Sequence, residues 1–147
     1  MPRRYVAVCG ASDATALQLE SAREVGRLLA EAGVVVVNGG LGGVAGAASE
    51  GAAEAGGTVV GILPDTDRHG VNPHVTISLP SGMGQARNVL IVTAAESVIA
   101  IGEGWGTLSE IAVARRLGRP VIALDSWSVK GLDAVATPAE AVRRALG

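Results

Sequence analysis

Three stretches of this chain place glycine where an apolar run stops: Gly10, Ala11 and Ser12 in "GASDAT", Gly39, Gly40, Gly42 and Gly43 in "NGGLGGVAG", and Glu103, Gly104, Gly106 and Thr107 in "GEGWGT". Glycine permits positive φ and lets a backbone approach a ligand closely, and the N–H groups that open a following helix attract an anion. One such loop marks no more than a tight turn. Three together point to a phosphorylated small molecule. The spaced G-x-G-x-x-G of dinucleotide enzymes and the G-K-[ST] phosphate loop are both missing, which disfavours a whole NAD or an ATPase mechanism. Ser12 has no activating His and no G-x-S-x-G elbow, leaving it as a phosphate ligand or a helix cap.

Other residues in these loops have two readings each. The carboxylate of Glu103 repels a phosphate; it either points to solvent, pairs with an arginine, or accepts hydrogen bonds from ribose hydroxyls or a purine or pterin edge. Trp105 is expected at the loop tip, to stack on a ligand or to pack across a subunit interface. Read locally, Thr107-Leu-Ser-Glu110 is a capping box, with Thr107 at the N-cap and Glu110 at N3.

The elements that must position these loops alternate strand and helix. Tyr5 to Cys9 is a β-rich run closed by Gly10. Thr15 to Ala32 then carries Ala22, Val25, Leu28, Leu29 and Ala32 at helical spacing. The strand "VVVVN", a helix near Val44 to Ala55 and a strand from Thr58 to Leu63 follow. After the turn-rich "LPDTDRHGVNPH", a weak strand over Val75 to Leu79 leads through "PSGMG" to a helix from about Gln85 to Ala95. Ser97 to Ile101 and Pro120 to Leu124 are strands flanking the helix after Thr107, and "AVATPAEAVRRAL" supplies a short strand and a last helix capped by Thr137, with Pro138 at N1. Continuous apolar strands between helices demand a sheet covered on both faces. Residues 1–147 therefore read as one Rossmann-like three-layer α/β domain with a parallel sheet of about seven strands. In such sheets a ligand lies beyond the carboxyl ends of the strands, where the strand order reverses.

Composition removes other classes. Lys and Arg number 12 against 14 Asp and Glu, a net charge of −2 without the basic excess that nucleic-acid binding needs. A single cysteine, Cys9, forms no internal disulfide, and no apolar run reaches the roughly 18 residues of a membrane span, so a cytoplasmic protein without a membrane partner is expected. Cys9 itself, inside a strand, is expected in the core. His69 and His74 lie with Asp65 and Asp67 in an irregular loop without matched ligand spacing, and no metal site is expected there.

The stretches "GGLGGVAGAASEGAAEAGGTVVGILP", "QARN" and "GWGTLSEIAVARRLGRPVIAL" resemble the LONELY GUY and lysine decarboxylase-like superfamily, in particular its shorter branch that includes the molybdenum cofactor carrier protein. Decarboxylase is a historical label there; nothing resembles a site for pyridoxal phosphate. The resemblance implies a phosphoribohydrolase that cleaves the N-glycosidic bond of a nucleoside 5′-monophosphate without a cofactor, its paired arginine and glutamate falling on Arg87 and Glu110. A carboxylate suits that reaction, which develops positive charge on the ribose and needs an oriented water. The short branch implies instead a non-catalytic carrier of a molybdopterin-type cofactor. Both imply homo-oligomers, dimers or tetramers, meeting through the helices after Arg87 and Thr107. The family's P-G-G is Gly102-Glu103-Gly104 here, the lysine after the arginine is Asn88, and Asn38 replaces a usual Tyr. Catalysis predicts that Glu110 faces an open pocket near Arg87. Pure carriage predicts a basic groove, with Glu110 tied into its helix cap.

Overall fold

The computed structural model describes residues 3–147. Its chain order is β1 (Tyr5–Gly10), α1 (Ala16–Glu31), β2 (Val35–Asn38), α2 (Gly43–Glu54), β3 (Val59–Leu63), β4 (Ile77–Pro80), a 3₁₀ turn (Gly84–Arg87), α3 (Asn88–Thr93), β5 (Ser97–Gly102), α4 (Trp105–Arg116), β6 (Val121–Ser126), β7 (Asp133–Val135) and α5 (Pro138–Leu146). The seven strands form one sheet in the order β4-β3-β2-β1-β5-β6-β7, and every pairing is parallel. This is the expected Rossmann-like architecture. The chain leaves β1 toward β2 on one side and returns through β5 on the other, so the reversal of strand order falls between β1 and β5.

Alternation along the strands divides the core into two layers. Val6, Val8, Val36, Ile99, Ile101 and Ile122 face α1, α2 and α5, where Ala22, Val25, Leu29, Ala48 and Ala141 meet them. Ala7, Cys9, Val37, Val98, Ala100 and Val121 face α3 and α4, where Ile91, Val92, Ile111 and Ala114 meet them. α1 and α2 touch along a seam of small residues. A Cβ on Gly26 would stand 2.0 Å from the Ala48 carbonyl oxygen, and one on Gly51 would stand 1.8 Å from that of Arg23. Only glycine allows the two backbones to come this close.

Element ends follow local chemistry. Thr15 accepts from the Gln18 backbone N–H while the Gln18 side chain accepts from that of Thr15, so α1 opens with a reciprocal capping box. Thr137 caps α5 ahead of Pro138, as expected. Two helices differ from expectation. The helix expected from Gln85 to Ala95 divides into the 3₁₀ turn and the six-residue α3, because Gly84, at φ +56°, breaks the approach and the turn carries Arg87 inward. The capping box at Thr107 does not form, since α4 begins three residues earlier than that cap requires, with extended Gly104 as its N-cap. Thr107 thereby becomes N3 and Glu110 falls in the helix interior.

Candidate functional site

All three glycine loops converge on Ala11, just past the carboxyl end of β1. The Ala11 carbonyl accepts from the Val44 N–H of α2, and its N–H donates to the Ile101 carbonyl of β5. A Cβ on Gly43, which sits at φ +64°, would lie 2.6 Å from the Ala11 carbonyl oxygen, and one on Gly10 would lie 2.1 Å from that of Ile101. These approaches leave no room for side chains. Asn38, fully buried, shapes the second loop: its amide oxygen accepts from the Gly40 N–H at 2.8 Å and its amide nitrogen donates to the Ala45 carbonyl and to Ser49.

Between these loops and the first turns of α2 and α4 lies a cavity of about 660 Å³, within the roughly 300–1,000 Å³ of small-molecule sites. Gly10, Ala11, Ser12, Gly39, Gly42, Gly43, Gly104, Gly106 and Thr107 line it together with Arg87 and Glu110. Gly40 lies behind the lining, against Leu63 and Gly61. Glu103 is exposed and stands outside it. Sequence reasoning did not place Gln85, Ser109 or Leu41 here, though each lines the wall.

Both helices that open on the cavity start from glycine, Gly42 and Gly104, and neither N-cap carries a side-chain hydrogen bond. α1 and α5, which open elsewhere, are capped by threonines. First-turn N–H groups without a cap present partial positive charge to whatever enters. Thr107 adds a hydroxyl that is only 2 % exposed and has no hydrogen-bond partner among the described residues. A buried hydroxyl left unpaired is costly unless a ligand or water satisfies it.

Arg87, 7 % exposed, reaches the same space. Its Nη1 donates to the Asn88 side-chain oxygen at 2.8 Å, Asn88 donates to Ser109, and Ser109 donates to the Gly106 carbonyl, so the 3₁₀ turn is tied into the first turn of α4. Asn88 serves as that link. The missing side chain of Gly39 makes room for the guanidinium, since a Cβ there would lie 2.9 Å from Nη2, and Nε has no partner. Burial lowers the Arg87 pKa, opposed by the charges of Glu110 and Asp65. The guanidinium still carries its charge at neutral pH and is the one cationic side chain in the cavity wall.

Glu110 is also only 7 % exposed and makes neither a hydrogen bond nor an ion pair with the described residues. Burial raises its pKa to about 8, with Arg87 pulling the other way, so the carboxyl is mostly neutral at pH 7. Beside it Cys9 joins the cavity floor while packing in the core, and burial, reinforced by Glu110, holds its thiol well above the usual range. The site therefore presents one fixed positive charge, two helix N-termini without side-chain caps, of which that of α2 already gives its Val44 N–H to the Ala11 carbonyl, one unpaired hydroxyl and one protonated carboxylic acid. That arrangement is chemically suited to an anion.

A model of the SLOG cluster4 family matches residues 3–145. An uncharacterized protein from Archaeoglobus fulgidus is 42 % identical over 143 residues, 97 % of this chain and 94 % of that protein. The molybdenum cofactor binding protein of the phototrophic bacterium Rippkaea orientalis superimposes with a TM-score of 0.93 at 34 % identity, covering 98 % of this chain and 96 % of the other. The molybdenum cofactor carrier protein of Chlamydomonas reinhardtii gives 0.89 at 28 % identity, over 97 % and 96 %.

Proposed function

The chain belongs to the SLOG cluster4 family, and from that premise we propose that it binds a phosphorylated pterin-type small molecule, of the molybdopterin class, and carries it without cleaving it. The observation that carries this reading is the anion seat: the buried guanidinium of Arg87, the unpaired Thr107 hydroxyl and the start of α4, whose N-cap makes no side-chain bond, all belong to the wall of one cavity. A phosphate monoester supplies the acceptors that these donors lack. Protonated, Glu110 adds a donor rather than a repelling charge, which suits an anionic ligand. The two molybdenum cofactor proteins that share the fold over nearly all of this chain support the same ligand class.

One observation favours a second reading. Glu110 faces the cavity near Arg87 instead of closing a helix cap, the arrangement that N-glycosidic cleavage of a nucleoside 5′-monophosphate requires. Against it, the carboxyl must be ionised to stabilise a cationic ribose, and burial keeps it neutral until about pH 8. Exposed Val89 and Leu90 on α3 support assembly with another copy through that helix.

Chromatography of nucleoside 5′-monophosphates incubated with the protein, alongside calorimetric titration with a pterin phosphate, separates the two. Carriage gives saturable pterin binding and no free base at any pH from 6 to 9. Base release that Glu110→Gln abolishes overturns it in favour of hydrolysis.

A further inference from the structure

Both tryptophans of the chain stand together at the cavity rim, although the chain has no Phe and only one Tyr. Trp105, the first residue of α4, lines the cavity and is 79 % exposed, more than any other large apolar side chain described. Such a ring in water is unfavourable unless something covers it. Its position is nonetheless held. Trp127, in the loop after β6, packs against it with ring centroids 5.5 Å apart at 38°, and the Trp127 indole N–H donates to the Gly104 carbonyl at 3.1 Å, directly before α4. The contact partner is therefore pinned to the very turn that holds the anion seat.

We propose that Trp105 is the stacking shelf of a ring subsite, which takes a planar bicyclic heteroaromatic, a pterin or a purine, attached to the phosphate seated at α4. The two subsites share the first turn of α4: Trp105 is N1 and Thr107 is N3, about 3 Å apart along the helix axis, and both line the same cavity. That spacing fits a ligand whose ring and phosphate are joined by a short linker, folded over the start of α4. An indole offers a broad face and little rotamer freedom, and stacking on it tolerates either ring system. Polar recognition falls to the groups already turned toward this wall, Asn88 and Ser109. The inference rests on the proposed phosphate seat and adds to it the part of the ligand that distinguishes a nucleotide or pterin from a simple phosphate ester.

The test uses intrinsic fluorescence, which reports only the rim because the chain has no other tryptophan. The full chain is titrated with neopterin monophosphate, adenosine 5′-monophosphate and ribose 5-phosphate. Trp105→Ala and Trp105→Phe are titrated by calorimetry. The expected result is fluorescence quenching by at least one ring-bearing ligand, binding of that ligand about tenfold or more tighter than ribose 5-phosphate, and loss of that advantage in Trp105→Ala but not in Trp105→Phe. Which of the two ligands binds tighter tells pterin from purine. Equal affinities for ring-bearing and ringless phosphates overturn the shelf and leave the phosphate seat standing. The same holds if Trp105→Ala changes the sedimentation coefficient while binding is unaltered, which assigns the ring to a contact between copies. If no phosphate ester binds, the seat itself falls, and the shelf with it.

Discussion

Replacing Glu110 by glutamine tests the central electrostatic claim about the cavity without any ligand. Glutamine keeps the shape of the neutral acid and never ionises. In the unfolded chain the Glu110 carboxyl titrates near its ordinary 4.5, and in the folded protein near 8. An acid whose folded value is raised leaves the native state holding a proton that the unfolded state releases, so stability falls as pH rises from the unfolded toward the folded value and is level outside that window. At about 1.4 kcal/mol for each pH unit, the wild type is ~3 kcal/mol less stable than an always-neutral isostere at pH 7, and ~1 kcal/mol less stable at pH 5. The assay is urea denaturation of both proteins at pH 5, 6, 7, 8 and 9. The gap between them should widen from pH 5 to 8 and then stay constant, and all other titrating groups cancel in the difference. Parallel profiles across that range would refute the reasoning, because they would mean that Glu110 ionises as easily inside the fold as outside.

Three further outcomes follow from the same geometry. Arg87→Met trades a desolvated guanidinium and its hydrogen bond to Asn88 for an apolar side chain of similar length, so stability should change by no more than about 1 kcal/mol in either direction, while calorimetry should show phosphate-ester binding lost. Thr107→Val removes an unpaired buried hydroxyl and should raise the melting midpoint by an amount equivalent to about 1 kcal/mol, while ligand affinity falls about tenfold. Gly26→Ala drives a methyl into the Ala48 carbonyl and should destabilise by on the order of 3 kcal/mol in urea titrations, with residual folded protein retaining its ligand affinity.

The sheet and its helices were legible because their signals are local and repeated: continuous valine and isoleucine runs, helical spacing of Ala22, Val25 and Leu29, and Thr137-Pro138 at the start of α5. The glycine loops were legible as a group because parallel topology sends each of them to the same end of the sheet. The start of α4 was not. Thr107 and Glu110 form a plausible cap on paper, and what defeats it is tertiary: β5 shifts register against β6 at Ile101 and Gly102, Ser126 donates to the Gly102 carbonyl, Trp127 donates to that of Gly104, and the chain enters the helix three residues early. No window of sequence around Thr107 contains Ser126 or Trp127. Glu110 is the same case, because a carboxyl in an amphipathic helix reads as solvated until α3 and β1 close over it. Glu103, the residue that most disturbed the phosphate reading, is exposed outside the cavity, where solvent screens its charge.

Asn38 has a bearing on time as well as on shape. Its amide grips the Gly40 N–H, the Ala45 carbonyl and Ser49, all groups of the protein itself, so the second glycine loop acquires its conformation when the protein folds. A glycine-rich loop ordered only on contact with its ligand would lose about 1–2 kcal/mol of backbone entropy per residue at that moment. Here that loss belongs to folding, and an arriving molecule meets a finished wall. Association then needs no conformational search by that loop, and differences in affinity among molecules that fit will lie mainly in how slowly they leave.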